Sequence, residues 1–134
     1  MSNWGFDVVC AEDGEAAYAI LNADDAPPIA ILDWMMPKMD GVEVCQRIRA
    51  RKNKPYVYLL LLTAKSQKEE VAAGLEAGAD DYVIKPFDPD ELRARLKVGQ
   101  RVVNLERTLA QKSAELEAAR EEIRELKEAL KRNS

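Results

Sequence analysis

Three apolar runs in this chain each end at a polar residue. Ile29-Ala30-Ile31-Leu32 ends at Asp33, the run from Val57 to Leu62 ends at Thr63, and Tyr82-Val83-Ile84 ends at Lys85-Pro86. Short, continuous apolar runs are the pattern of strands buried on both faces of a parallel sheet. In such sheets ligands bind outside the carboxyl ends of the strands. A carboxylate, a hydroxyl and an ammonium on neighbouring strand ends can meet over one small polar group. Taken singly, Thr63 and Lys85 are ordinary strand-end residues and Tyr82 is a half-buried strand aromatic. Their joint placement with Asp33 is what points to chemistry. The sequence contains no histidine, which removes histidine-based catalysis and the commonest zinc ligand.

The elements that must position these residues are legible around them. Phe6-Asp7-Val8-Val9-Cys10 reads as a strand, and Asp13 as the N-cap of a helix through Ala16, Ala17, Ile20 and Leu21. Pro27-Pro28 breaks the chain before the run that ends at Asp33. Asp40-Gly41 is turn and N-cap chemistry for a helix through Val42, Val44, Cys45 and Ile48. Lys65 to Ala77 is predicted helical, stopped by Gly78. Strands alternating with helices of this length predict βαβ crossovers, a parallel sheet and helices on both faces.

Composition narrows the function classes. The 134 residues are 47% hydrophobic and 33% charged, with a net charge of -4, so a general nucleic-acid clamp lacks its lysine and arginine surplus. The basic stretch from Arg47 to Lys54 suits the end of a helix. Asp24-Asp25 and Asp80-Asp81 look like metal-binding pairs, but their loop positions predict solvated carboxylates. Cys10 and Cys45 lie far apart and in no metal-ligand spacing; they read as reduced, buried thiols of a cytosolic protein. The longest apolar run is too short to span a bilayer, and no signal peptide opens the sequence. No second catalytic constellation suggests an independent enzyme.

Beyond Pro89 there is no proline, and the composition turns to Ala, Glu, Leu, Lys and Arg. Asp88-Pro89-Asp90-Glu91 starts a helix that runs to about Arg132, roughly 65 Å at 1.5 Å per residue. Its heptads place Val102, Leu109, Leu116, Ile123 and Leu130 at a, and Val98, Leu105, Lys112, Ala119 and Leu126 at d. The alternating spacing of three and four predicts a left-handed coiled coil. Parallel pairing is favoured by Arg101 facing Glu106, Glu115 facing Arg120 and Glu122 facing Lys127 of a second helix. Gly99 falls where the helix passes from domain to coil, either as a hinge or by accident.

LDWMMPKMDG around Asp33, LLLLTA around Thr63 and GADDYVIKPF around Lys85 together resemble the receiver domains of bacterial two-component response regulators, over about Trp4 to Gln100. The resemblance implies that Asp33 is the phosphoacceptor, taking a phosphoryl group from a sensor histidine kinase or phosphotransfer protein. A carboxylate nucleophile of this kind forms an acyl phosphate. Lys85 would pair with the phosphoryl oxygens, next to a cis bond to Pro86. Thr63 would donate its hydroxyl, and Tyr82 would be the coupled aromatic switch. A magnesium ion would be held by Asp33 and the backbone carbonyl of Met35.

The sequence departs from the family in one respect. A receiver begins with a strand that ends in an acidic pair, followed by a helix. Asn3-Trp4-Gly5-Phe6 instead resembles the end of that helix and the start of the second strand. The expected fold is therefore a truncated flavodoxin-like α/β receiver with a parallel sheet over residues 1–97. A parallel coiled coil over 98–134 would be continuous with the last receiver helix. Without the acidic pair, magnesium binding and phosphorylation are expected to be weak or absent. The segment Phe6 to Cys10 has three open placements: beside the Asp33 strand, on another chain, or unpaired. The family often couples such a helix to a diguanylate cyclase or another dimeric output domain, and none is read here. The two functions in view are a phosphorelay module dimerised through its coil and a constitutive dimerisation scaffold.

Overall fold

Strict alternation along two central strands sends successive apolar side chains to opposite faces of one sheet. In the computed structural model, residues 7–11, 13–52, 54–64 and 68–133 are described. The elements in chain order are β1 (Val8–Cys10), α1 (Gly14–Leu21), β2 (Ile29–Asp33), α2 (Gly41–Arg49), β3 (Tyr58–Thr63), α3 (Lys68–Glu76), β4 (Asp81–Ile84) and α4 (Pro89–Arg132). Ala30, Leu32, Leu59 and Leu61 face one side, against Ala17 and Leu21 of α1 and Val44, Cys45 and Ile48 of α2. Ile29, Ile31, Tyr58 and Leu60 face the other, against Leu92, Leu96 and Val103 of α4. The expected layers, helices on both faces of a parallel sheet, are present.

The four strands are parallel and lie in the order β1-β2-β3-β4. Of the three placements open to the first strand, it takes the one beside the Asp33 strand, with Val8 opposite Ile29 and Cys10 opposite Ile31. The ladder formed this way satisfies backbone groups of β2 that would otherwise be exposed. The strand is shorter than the sequence suggests, since Asp7 is outside it. Asn3 to Phe6, and Lys65 to Gln67 of the predicted third helix, lie outside the described residues.

The helix starts are those the sequence indicates. Asp13 Oδ1 accepts from Ala16 N at 2.7 Å, and Asp40 Oδ1 from Glu43 N at 2.8 Å. Asp88 Oδ1 accepts from Asp90 N at 2.9 Å where α4 begins. Gly78, past the end of α3, has φ +120°, as a C′ residue does. Cys45 is buried as expected, but Cys10 is exposed. It ends an edge strand of only three residues, too short to be covered on both sides. No helix among the described residues is long and apolar enough to cross a membrane.

The chain divides into two compact units, Met1–Val103 and Asn104–Ser134. Within the first, Leu92, Leu96, Gly99 and Val103 are the buried positions of α4. Val98 is exposed there, and Val102 is half-buried against the same core. In the second, Leu105, Leu109, Leu116, Ile123, Leu126 and Leu130 are all exposed. Arg124 bridges Glu121 and Glu128 on its surface.

Candidate functional site

Asp33 closes β2, Thr63 closes β3, and Lys85 directly follows β4. Because β3 lies between β2 and β4, Lys85 reaches across the end of the Thr63 strand to arrive at Asp33. Its Nζ donates to Asp33 Oδ2 at 2.5 Å. Both side chains are half-exposed, so the carboxylate is accessible while its charge is compensated. Thr63 is 1% exposed, and its carbonyl accepts from Lys85 N at 2.7 Å. That backbone bond fixes the turn from which Lys85 extends. The Lys85-Pro86 bond is cis. The three residues singled out in the sequence thus share one edge of the sheet.

The N-terminus of α2 is packed onto the Asp33 backbone. Gly41 N donates to Trp34 O at 3.0 Å. A Cβ at Gly41 would fall 2.6 Å from the Asp33 carbonyl oxygen, so only glycine permits this approach. Trp34 is buried in the core beside the site and its N–H donates to Leu62 O at 2.8 Å, which ties the residue after Asp33 to β3. The loop from Met35 to Met39 is held from the other side by Gly14 N, which donates to Pro37 O at 3.3 Å. Lys38 in that loop sits 3.9 Å from Glu15. Tyr82 is half-buried in β4 against the α1 and α2 side of the core.

The metal donors named from the sequence are Asp33 and the Met35 carbonyl, on an exposed Met35. Among the described residues no group of three or more histidine, cysteine, aspartate or glutamate side chains converges. Asp33 itself is engaged by Lys85. One carboxylate and one carbonyl do not make a closed site for an ion that demands near-octahedral oxygen ligation.

Asp80 and Asp81 are not the solvated loop carboxylates expected, and Asp81 is the first residue of β4. Asp80 is a hub: it accepts from Arg49 Nη2, from Tyr56 Oη and, at 2.9 Å, from Leu59 N. Arg49 also donates to Gly78 O and Val57 O at 2.8 Å each and lies over the Tyr56 ring. Asp81 takes two hydrogen bonds from Arg95, at 3.1 and 2.9 Å. Asp24 is exposed but pairs with Lys54. Arg49 was assigned from the sequence only to a helix end, which it also occupies. The available signal was an aspartate abutting the start of a buried strand, where solvent cannot fully hydrate it.

The family model of the response regulator receiver domain matches residues 1–97, and the chain belongs to that family. It is 46% identical over 93 residues to a protein of Porphyridium aerugineum named probable transcriptional regulator ycf27, covering 69% of this chain and 37% of that one. It is 45% identical over 93 residues to the alkaline phosphatase synthesis transcriptional regulatory protein PhoP of Bacillus subtilis (strain 168), covering 69% and 38%. The chain thus spans less than two fifths of the length of these relatives. Among solved structures, the receiver domain of Francisella response regulator 1452 is similar, with a TM-score of 0.64 at 33% identity, covering 73% of this chain and 79% of that one. These likenesses give the flavodoxin-like receiver fold, here with a four-strand parallel sheet and a long C-terminal helix.

Proposed function

We propose that this chain is a phosphoacceptor module of two-component signalling that works as a pair. In this reading Asp33 attacks the phosphoryl group of a histidine kinase or phosphotransfer partner and becomes an acyl phosphate. Lys85 compensates the charge of the phosphoryl oxygens, Thr63 donates its hydroxyl, and Tyr82 changes its packing with the state of the site. The observation that carries it is the 2.5 Å contact of Lys85 Nζ with Asp33 Oδ2 across the end of the Thr63 strand. An ammonium already bonded to the nucleophile needs little reorganisation to meet the charge that arrives with a phosphoryl group. The magnesium that receivers generally use would bind weakly here, with Asp33 and the Met35 carbonyl as its donors.

The exposed apolar seam of α4 supports the second half of the reading. A second copy is the occupant that fits it, because the three charge pairs Arg101 to Glu106, Glu115 to Arg120 and Glu122 to Lys127 form only between parallel, aligned helices. The paired coil would pass the state of the receiver to an output, and the relatives named as transcriptional regulators make control of transcription a candidate.

Incubation of the chain with a small phosphodonor and magnesium, read by intact mass, tests the chemistry. A gain of one phosphoryl group that is lost in Asp33→Asn is the supporting result. A chain that dimerises but never gains mass would instead be the constitutive scaffold.

A further inference from the structure

Between Val98 and Leu130 the seam of α4 carries one charged residue at an a or d position, Lys112. Leu105 and Leu109 before it are 71% and 62% exposed, and together with Asn104, Thr108 and Lys112 they line one groove. Lys112 lines that groove, and its ammonium is engaged at the side. Its Nζ is 3.5 Å from Glu115 Oε2, and Gln111 Nε2 holds the other oxygen of Glu115 at 3.4 Å. The ammonium is thus drawn to the rim, where water reaches it.

Resting on the paired-helix reading above, we infer that Lys112 fixes the alignment and the number of helices in the assembly. In a parallel, aligned pair both Lys112 side chains share one layer, and each can lay its stem along the seam and its ammonium in water. A slip of one heptad sets Lys112 of one helix against Ala119 of the other, and Leu105 against the second Lys112. Two layers are then damaged instead of one. An antiparallel pair sets d against a, so each Lys112 meets an apolar residue and again two layers are damaged. Three or four helices enclose the d position more fully and leave the ammonium less access to solvent. One lysine therefore weakens the correct assembly once and each competitor more, which is how a single polar core residue selects register and oligomer state.

The test uses the full chain with Cys10→Ser and Cys45→Ser, with and without Lys112→Leu, by sedimentation equilibrium and disulfide cross-linking. Leu126→Cys reports aligned helices through links to itself. A mixture of Leu126→Cys and Ala119→Cys chains reports a one-heptad slip through mixed links. With Lys112 present, a dimer with only aligned links is expected. Lys112→Leu is expected to associate at least tenfold more tightly and to show mixed links or species above dimer. If Lys112→Leu stays strictly dimeric and aligned, the inference is overturned while the paired-helix reading stands. A monomeric chain with Lys112 present overturns both. Position 112 is exposed on the second unit, so the substitution leaves the receiver core intact, and retained circular dichroism and thermal unfolding of the first unit verify this.

Discussion

Gly99 of α4 sits directly on the ring of Tyr58 in β3. A Cβ at Gly99 would lie 2.7 Å from Tyr58 Cδ1 and 2.8 Å from Cε1, and the ring is buried among Ile29, Ile31 and Leu60 on the same face. The glycine leaves the space in which the Tyr58 ring packs against α4, beside the contacts of Leu92, Leu96 and Val103. In an open helix alanine would be better by about 1 kcal/mol. Here Gly99→Ala is expected to destabilise by about 1–3 kcal/mol, the usual range for an extra methyl in a filled core. Urea unfolding of the full chain measures the difference, and a stabilised variant would contradict the contact.

Asp80 holds Arg49, Tyr56 and the Leu59 amide together with a side chain only 20% exposed. Asp80→Asn leaves a half-buried guanidinium without its counter-charge, and a loss of about 1–3 kcal/mol is expected. A double-mutant cycle with Arg49→Met isolates the pair. Additive losses would mean that the two residues act independently.

The two thiols are expected to differ sharply. Burial pushes the Cys45 thiol up to about 12, while Cys10 is exposed. A disulfide reagent at neutral pH should label Cys10 alone, with Cys45 following only on unfolding. Rapid labelling of both in the folded chain would be inconsistent with the packed α2 face.

Alkaline pH should weaken the fold. Burial, reinforced by the nearby Asp81 and Asp80 charges, raises the Tyr58 phenol from 10.0 to about 12, and burial raises Cys45 from 9.0 to about 12. Between those values the unfolded chain has released protons that the folded chain still holds. Stability is therefore full below about pH 9 and declines as pH rises toward 12. Urea midpoints measured from neutral to alkaline pH should fall, and Tyr58→Phe should make the decline shallower. A flat profile would place both groups in contact with water.

Replacing Leu109, Leu116 and Ile123 together with aspartate removes three seam positions that are exposed in the single chain. Each buried leucine or isoleucine contributes about 1.5–3 kcal/mol to a paired coil. The triple variant is expected to sediment as a monomer with its receiver unit still folded. A dimer of unchanged affinity would move the interface elsewhere.

The strand ends and the helix caps were readable because each has a local signature in a few consecutive residues, and the cis Lys85-Pro86 bond is the one the family resemblance implies. Asp33, Thr63 and Lys85 were readable together because a parallel sheet must bring successive strand ends to one edge. The pairing of Val8–Cys10 was not readable. Its short apolar pattern is satisfied equally by several neighbours, and nothing within it names β2 as the partner it takes. Asp80 was misread for a related reason: it looks like a surface charge until the fold places it against Arg49, 31 residues away. Cys10 was misassigned because the sequence does not say which strand will be the edge.

The order β1-β2-β3-β4 bears on how the chain assembles. Among the described strands β2, β3 and β4 each dock beside the one before, as in the pairings of Val8 with Ile29, Ile29 with Tyr58 and Leu60 with Asp81. Among the described residues each crossover between these strands closes only one helix and its loops, and the entropy of closure grows slowly with loop length. Within the described sheet the contacts that join neighbouring strands are therefore of short separation along the chain, and the contact order of this unit is low for a parallel sheet.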